Sequence, residues 1–253
     1  MSRLALVVVF ALVGSCFGGI TPYSDWAGRV VGGSDAALGQ FPYQASIRTP
    51  ANQHFCGGSI ISSTWILCAA HCTQGRTPAN TEVVVGILGR FEGTRLPISE
   101  IINHPEYGSI SLDNDISLIR LAAPLTFGPN VAAVQLADQR ITQGNAIVSG
   151  WGQTDHPGDA AEVLQFVSKP IIDNDACRAQ HNAINALRVR DNNICAGGEL
   201  GVGACMGDSG GPLTIGGIQE GVVSWGIACA QGVPDVYARV SSHRDWIRQN
   251  TGV

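Results

Sequence analysis

Ile215-Gly216-Gly217-Ile218, with Val222-Val223 just beyond it, reads as the tip of a β-hairpin. Two consecutive glycines can both take the positive φ that a two-residue turn of the correct twist demands. The same grammar repeats outward from this point. Trp65-Ile66-Leu67, Val83-Val84-Val85, Ile116 to Leu121 and Ile147-Val148 are short, mostly β-branched runs, parted by Gly, Pro, Asn and Asp. Turn signals that recur about every ten residues predict an all-β sandwich or barrel. A chain of 253 residues is long for one small barrel, so two packed barrels are expected. Only two helices are predicted. One begins near Asp173 and carries Cys177. The other runs from Ser242 to Arg248, with Ser242 and Asp245 at capping-box spacing.

Composition narrows the possible functions. Hydrophobic residues make up 45%, charged residues 14%, and mean hydropathy is +0.14, which excludes a disordered or charge-solvated chain. A net charge of -5 excludes the basic footprint of a nucleic-acid binder. Of 15 cationic residues only Lys169 is a lysine, so there is no polybasic membrane patch.

The N-terminus points to export. Met1-Ser2-Arg3 is a short positive start, Leu4 to Val13 is apolar, and Gly14, Ser15, Cys16, Gly18 and Gly19 form a small-residue cleavage zone. That order is a secretory signal peptide, taken as residues 1–18, with cleavage after Gly18 or Gly19, or earlier after Cys16. A membrane span would need about 20 apolar residues. Cys16 leaves with the signal, so an odd number of the 8 cysteines remains, in a compartment that favours disulfides.

Three local patterns carry chemistry, and each has a bland alternative. Gly207-Asp208-Ser209-Gly210-Gly211-Pro212 sets a serine among glycines whose N–H groups can converge on one point, although it could be an ordinary turn. Ala69-Ala70-His71-Cys72 places a histidine at a strand end, where a structural role is commoner. Asp113-Asn114-Asp115-Ile116 sets a carboxylate immediately before an apolar strand, a usual turn position. Together, in the order His, Asp, Ser, they match one of the known orders of a catalytic triad.

Residues 30–253 resemble the chymotrypsin/trypsin-type serine endopeptidases, and arthropod chymotrypsin-like digestive proteases in particular. The resemblance rests on Val30-Val31-Gly32-Gly33, Ala69-Ala70-His71-Cys72, Asp113-Asn114-Asp115-Ile116, Gly150-Trp151-Gly152, Gly207 to Pro212 and Ser224-Trp225-Gly226. It implies two packed antiparallel six-stranded β-barrels with a C-terminal helix and the active site at the barrel interface. It also implies Ser209 as nucleophile, His71 as base, Asp115 as its orienting partner, and the N–H groups of Gly207 and Ser209 as the oxyanion hole. Ser224 matches the serine that hydrogen-bonds the aspartate. These roles follow the family's own template.

The same resemblance implies a propeptide at 19–29, cut after Arg29 by a trypsin-like protease, so that the new Val30 ammonium pairs with Asp208. Ser46 and His54 match residues that hold this aspartate in some zymogens. It pairs Cys56 with Cys72, Cys177 with Cys195 and Cys205 with Cys229. Cys68 is left over, and a buried inert thiol is favoured over a reactive or intermolecular one.

The primary pocket maps to Gly203, Gly226 and Asp235, with Met206 as a flap at its entrance. Glycine at 203 and an open entrance at Gly226 favour Phe, Tyr, Leu or Trp before the cut. Asp235, expected as an unpaired carboxylate, would hold water, take up a proton or receive a substrate cation, so mixed specificity including Arg and Lys stays open. Some arthropod chymotrypsins and crab collagenases resemble this glycine-plus-aspartate arrangement. The remaining expectations are no cofactor, no metal, no nucleic-acid or membrane partner, and a monomer acting on protein and peptide substrates and checked by protease inhibitors. A secreted digestive enzyme, in the gut lumen, is favoured over a cascade protease or a non-catalytic homologue.

Overall fold

The structure is a computed structural model that describes residues 31–155, 157–227 and 229–253. The expected signal (1–18) and propeptide (19–29), with Arg29, and Val30 lie outside the described residues.

A two-residue strand, β1 (Ser34–Asp35), comes first. Six strands then close into a barrel: β2 (Gln44–Arg48), β3 (His54–Ile60), β4 (Trp65–Cys68), β5 (Glu82–Val85), β6 (Leu96–Asn103) and β7 (Ser117–Leu121), in the order β2-β3-β4-β7-β6-β5. After β8 (Gln135–Leu136) a second ring follows: β9 (Asn145–Gly150), β10 (Gln165–Ile172), β11 (Asn193–Gly197), β12 (Pro212–Ile215), β13 (Ile218–Trp225) and β14 (Pro234–Arg239). Its order is β10-β11-β14-β13-β12-β9, and β9 pairs back onto β10. β1 adds to β10, and β8 runs parallel to the start of β13. Two antiparallel six-stranded barrels are therefore present, as expected.

The Gly216-Gly217 hairpin joins β12 to β13. Ile215 faces Ile218, with Gly216 at φ 57° and Gly217 at φ 84°. Ile47, Ile60, Ile66, Leu67, Leu118 and Ile119 fill the first barrel; Val148, Val167, Ile171, Leu213 and Tyr237 fill the second. Each fully buried aliphatic side chain of this kind contributes about 1.5–3 kcal/mol.

Helices agree in part. α1 (Ala70–Thr73) and α3 (Ala183–Ala186) carry no sequence signal, because four residues show no helical period. α2 (Asn174–Gln180) carries Cys177 and is capped by Asp173, whose side chain accepts from Asp175 N–H. α4 spans Arg244–Thr251 and ends at Gly252 in the left-handed conformation. The Ser242 cap is a misreading. Ser242 sits in a 3-10 turn (Val240–Ser242), and His243 takes the N-cap position without a side-chain cap bond. His243 is instead anchored by Arg239 O (2.7 Å) and Asn114 Oδ1 (3.2 Å), so tertiary contacts set where the helix starts.

Candidate active site

The site lies where the barrels meet. β4 of the first barrel turns directly into α1, which carries His71, and the Cys56–Cys72 disulfide ties α1 to β3. Asp115 precedes β7 and is buried. Asn114, at φ 50°, turns the chain to present it; asparagine tolerates that region better than most residues. Both carboxylate oxygens of Asp115 are engaged. Oδ1 accepts the His71 backbone N–H at 2.8 Å, while Oδ2 accepts His71 Nδ1–H at 2.7 Å and the Ser224 hydroxyl at 2.6 Å. Three donors satisfy one buried charge. They also place an imidazole N–H at Nδ1, while Nε2 lies 3.6 Å from the disulfide-bonded Cys72 Sγ, which has no proton to give it.

The second barrel supplies Ser209. Within its turn, Asp208 N–H bonds to Cys205 O, Gly210 N–H to Val223 O and Gly211 N–H to Asp208 O. Among the described residues, the N–H groups of Gly207 and Ser209 have no protein acceptor, which is what stabilising an oxyanion requires. Gly57 of β3 donates to Ser209 O at 2.8 Å, so one barrel holds the other's candidate serine in place. Gly210 has φ 79°, and a Cβ there would lie 2.5 Å from Cys68 Sγ. No hydrogen bond joins Ser209 Oγ to His71; catalytic contacts are often long without substrate and tighten when it binds.

Cys68 is fully buried, donates to Gly57 O at 3.2 Å, and burial pushes its pKa to about 12. It is an inert packing thiol behind the turn that carries Ser209. The other cysteines form Cys56–Cys72, Cys177–Cys195 and Cys205–Cys229. Among the described residues, Cys56, His71 and Cys72 form a cluster at metal-ligand spacing, but its two sulfurs are bonded to each other.

Asp208 is fully buried and accepts from Gly152 N–H at 2.8 Å and Cys205 N–H at 3.0 Å. Burial nevertheless lifts its pKa to about 6. His54 does not turn to this carboxylate as the zymogen comparison implied. Burial drives its pKa to about 4, so the ring is neutral, and its Nε2–H donates to Gly207 O at 3.0 Å. Behind it, the Ser46 hydroxyl donates to His54 Nδ1 (2.9 Å) and accepts from Arg48 Nε–H (2.9 Å). This relay holds the peptide that joins Gly207 to Asp208.

Beside Ser209 opens a pocket of about 290 Å³ lined by Ala204, Cys205, Met206, Val223, Ser224, Trp225, Gly226, Cys229 and Asp235. Met206 stands exposed at its rim. Gly203 is not in the lining: a Cβ there would press within 3.2 Å of the Ala230 backbone. Asp235 is not the unpaired charge the sequence implied. Its Oδ2 forms a buried ion pair with Lys169 Nζ and accepts Ala204 N–H at 2.9 Å. Breaking one side of such a pair typically costs about 3–5 kcal/mol. Sequence reasoning missed Lys169, although the chain's sole lysine sits between inward Val167 and Ile171 on a period-two strand. It also missed His181, buried against Trp225 with ring centroids 5.2 Å apart.

Two six-stranded barrels with a His–Asp pair and a glycine-flanked serine at their seam define a serine hydrolase. The sequence matches the family model described as Trypsin over residues 30–247. It is 42% identical to Trypsin-1 of Astacus astacus over 87% of this chain and 99% of that protein. It is 36% identical to Trypsin 5G1 of Aedes aegypti over the full length of both, and 40% identical to Chymotrypsin-2 of Vespa crabro over 87% of this chain and 99% of that protein. The chain belongs to the trypsin family and is a serine endopeptidase. The relatives carry both trypsin and chymotrypsin names, so kinship alone leaves side-chain preference open. No described helix is long and apolar enough to cross a membrane.

Proposed function

We propose a secreted endopeptidase, made as a zymogen and cut after Arg29, that cleaves after large apolar residues (Phe, Tyr, Leu, Trp). The observation that carries the preference is the pocket beside Ser209. Its walls include Val223, Trp225, Ala204 and the side-chain-free Gly226, and among the described residues its one carboxylate already holds a cation. A P1 aromatic ring loses water against these walls without leaving an unpaired charge, whereas a P1 arginine would meet a carboxylate whose charge Lys169 already offsets.

In this reading Ser209 Oγ attacks the scissile carbonyl while His71 Nε2 takes its proton. Asp115, with Ser224, stabilises the imidazolium, and the free N–H groups of Gly207 and Ser209 receive the oxyanion. His71 returns the proton to the leaving amine, and water then repeats the sequence to release the acyl group. Asp208 supports the zymogen reading, being a buried carboxylate next to the nucleophile whose proper partner is a cation. A trypsin-like protease would supply the Arg29 cut; residues 1–18 would be the signal and 19–29 the propeptide. A monomer working in protein digestion, in the gut lumen and under the control of protease inhibitors, fits the arthropod digestive resemblance.

The test uses the purified precursor before and after tryptic cleavage, on peptides that differ only at P1. Activity should appear on cleavage and favour Phe and Leu over Arg. An Arg29→Gln precursor that stays uncut and is fully active would refute the zymogen reading. Equal turnover of Arg and Phe by the cut enzyme would refute the specificity.

A further inference from the structure

We propose that Lys169 is a specificity-determining residue: its ammonium occupies, from inside the barrel, the cation seat that Asp235 would otherwise offer to a substrate side chain. The proposal deepens the apolar reading of the pocket and rests on it.

The geometry comes from three strands. Residues of β10 alternate, with Gln165, Val167, Lys169 and Ile171 buried on one side. Val167 and Ile171 belong to the apolar core of the second barrel, an environment that does not tolerate an unpaired ammonium. Lys169 therefore needs a carboxylate, and it reaches past β11 to Asp235 on β14, 66 residues later in sequence. Gly197 of β11 makes room for it. A Cβ at that position would lie 2.3 Å from Lys169 Cε, and the residue has φ 90°. Lysine, glycine and aspartate thus form one device across β10, β11 and β14.

Asp235 stands between this ammonium and the substrate. It lines the pocket, whereas Lys169 does not. Its Oδ2 is shared by Lys169 and Ala204 N–H, and its Oδ1 faces Gly226, where a Cβ would come within 2.5 Å. The pocket therefore presents the outer edge of a neutralised pair. A guanidinium entering it would meet a carboxylate whose charge is already cancelled, with the like charge of Lys169 behind. Sequence position 235 alone would be misread as a basic-residue receptor.

The test compares kcat/KM for peptides with Phe, Arg, Glu or Gln at P1, per site counted with a serine-directed active-site titrant. In the wild type the Arg:Phe ratio should be low. Lys169→Met leaves Asp235 uncancelled, and the ratio should rise at least tenfold. Asp235→Gly uncovers Lys169 instead, so Arg:Phe should stay low while Glu:Gln rises. The Lys169→Met/Asp235→Gly double variant should show neither gain, and Lys169→Arg should keep the wild-type pattern.

An unchanged Arg:Phe ratio in titratable Lys169→Met overturns the proposal. So does a wild type that cleaves after Arg and loses that activity in Asp235→Gly. If Lys169→Met gives no titratable sites, the Asp235→Gly enzyme decides: a raised Glu:Gln ratio supports the proposal and an unchanged one overturns it. A wild type with little activity on Phe would sink the apolar reading. The response of the Arg and Glu ratios to the two substitutions would still judge Lys169 separately.

Discussion

Ionising Asp208 should destabilise the uncut chain, by an amount its surroundings set. The carboxyl is fully buried, and the N–H groups of Gly152 and Cys205 only partly offset that burial, so its pKa stands at about 6 against an ordinary 3.8. A carboxyl whose pKa is raised on folding binds its proton more tightly in the native than in the unfolded chain. Stability therefore falls as pH rises between the two values. The whole gap is worth about 3 kcal/mol, of which about half remains to be lost between about pH 5 and about pH 8.

The assay is urea unfolding, disulfides intact, of a chain carrying Arg29→Gln to block cleavage and Ser209→Ala to block self-digestion. Adding Asp208→Asn removes the titration. It also costs an acceptor for Gly152 or Cys205, but that loss is the same at both pH values and cancels in the comparison. The chain that keeps Asp208 should lose about 1.5 kcal/mol more over this pH interval than the chain carrying Asp208→Asn. Parallel pH dependence of the two would refute the reasoning. Cleavage after Arg29, by supplying the Val30 amine, should remove the penalty.

Four further outcomes are expected at the site. Asp115→Asn should lower kcat about 10⁴-fold, the size seen for the family's template triad, because the wrong tautomer would be held. Ser224→Ala should cost about ten- to a hundredfold through loss of one hydrogen bond to a charge, read in the same peptide assay. His54→Ala should lower kcat about tenfold with little change in KM, since it frees the Gly207 carbonyl rather than any substrate contact. Cys68 should resist iodoacetamide in the folded enzyme and take one label per chain in urea; rapid labelling of the native protein would contradict its burial.

Much of the architecture was legible because its causes are local. Gly216-Gly217 marks a turn by backbone freedom, and Asp173 caps α2 with its own side chain. Where the reading failed, the cause lay elsewhere in the chain. Ser242 and Asp245 have the spacing of a capping box, yet His243 is pinned by Arg239 and Asn114, so the helix begins after it. α1 is too short for any period and forms where β4 ends and Cys72 is tied to Cys56.

At the site, the sequence by itself singled out the candidates for the chemistry: a histidine, an aspartate and a glycine-flanked serine, in a recognisable order. Only the tertiary structure decided how charges pair. Asp235 looked free and Lys169 looked incidental until barrel closure set them against each other across β11. His54 looked like a partner for Asp208 until burial neutralised it and turned it to Gly207 O. A residue's type, and even the strand face it occupies, can be read from local pattern. Which buried charge it meets depends on how strands far apart in sequence are brought together, and desolvation then makes that one meeting decisive.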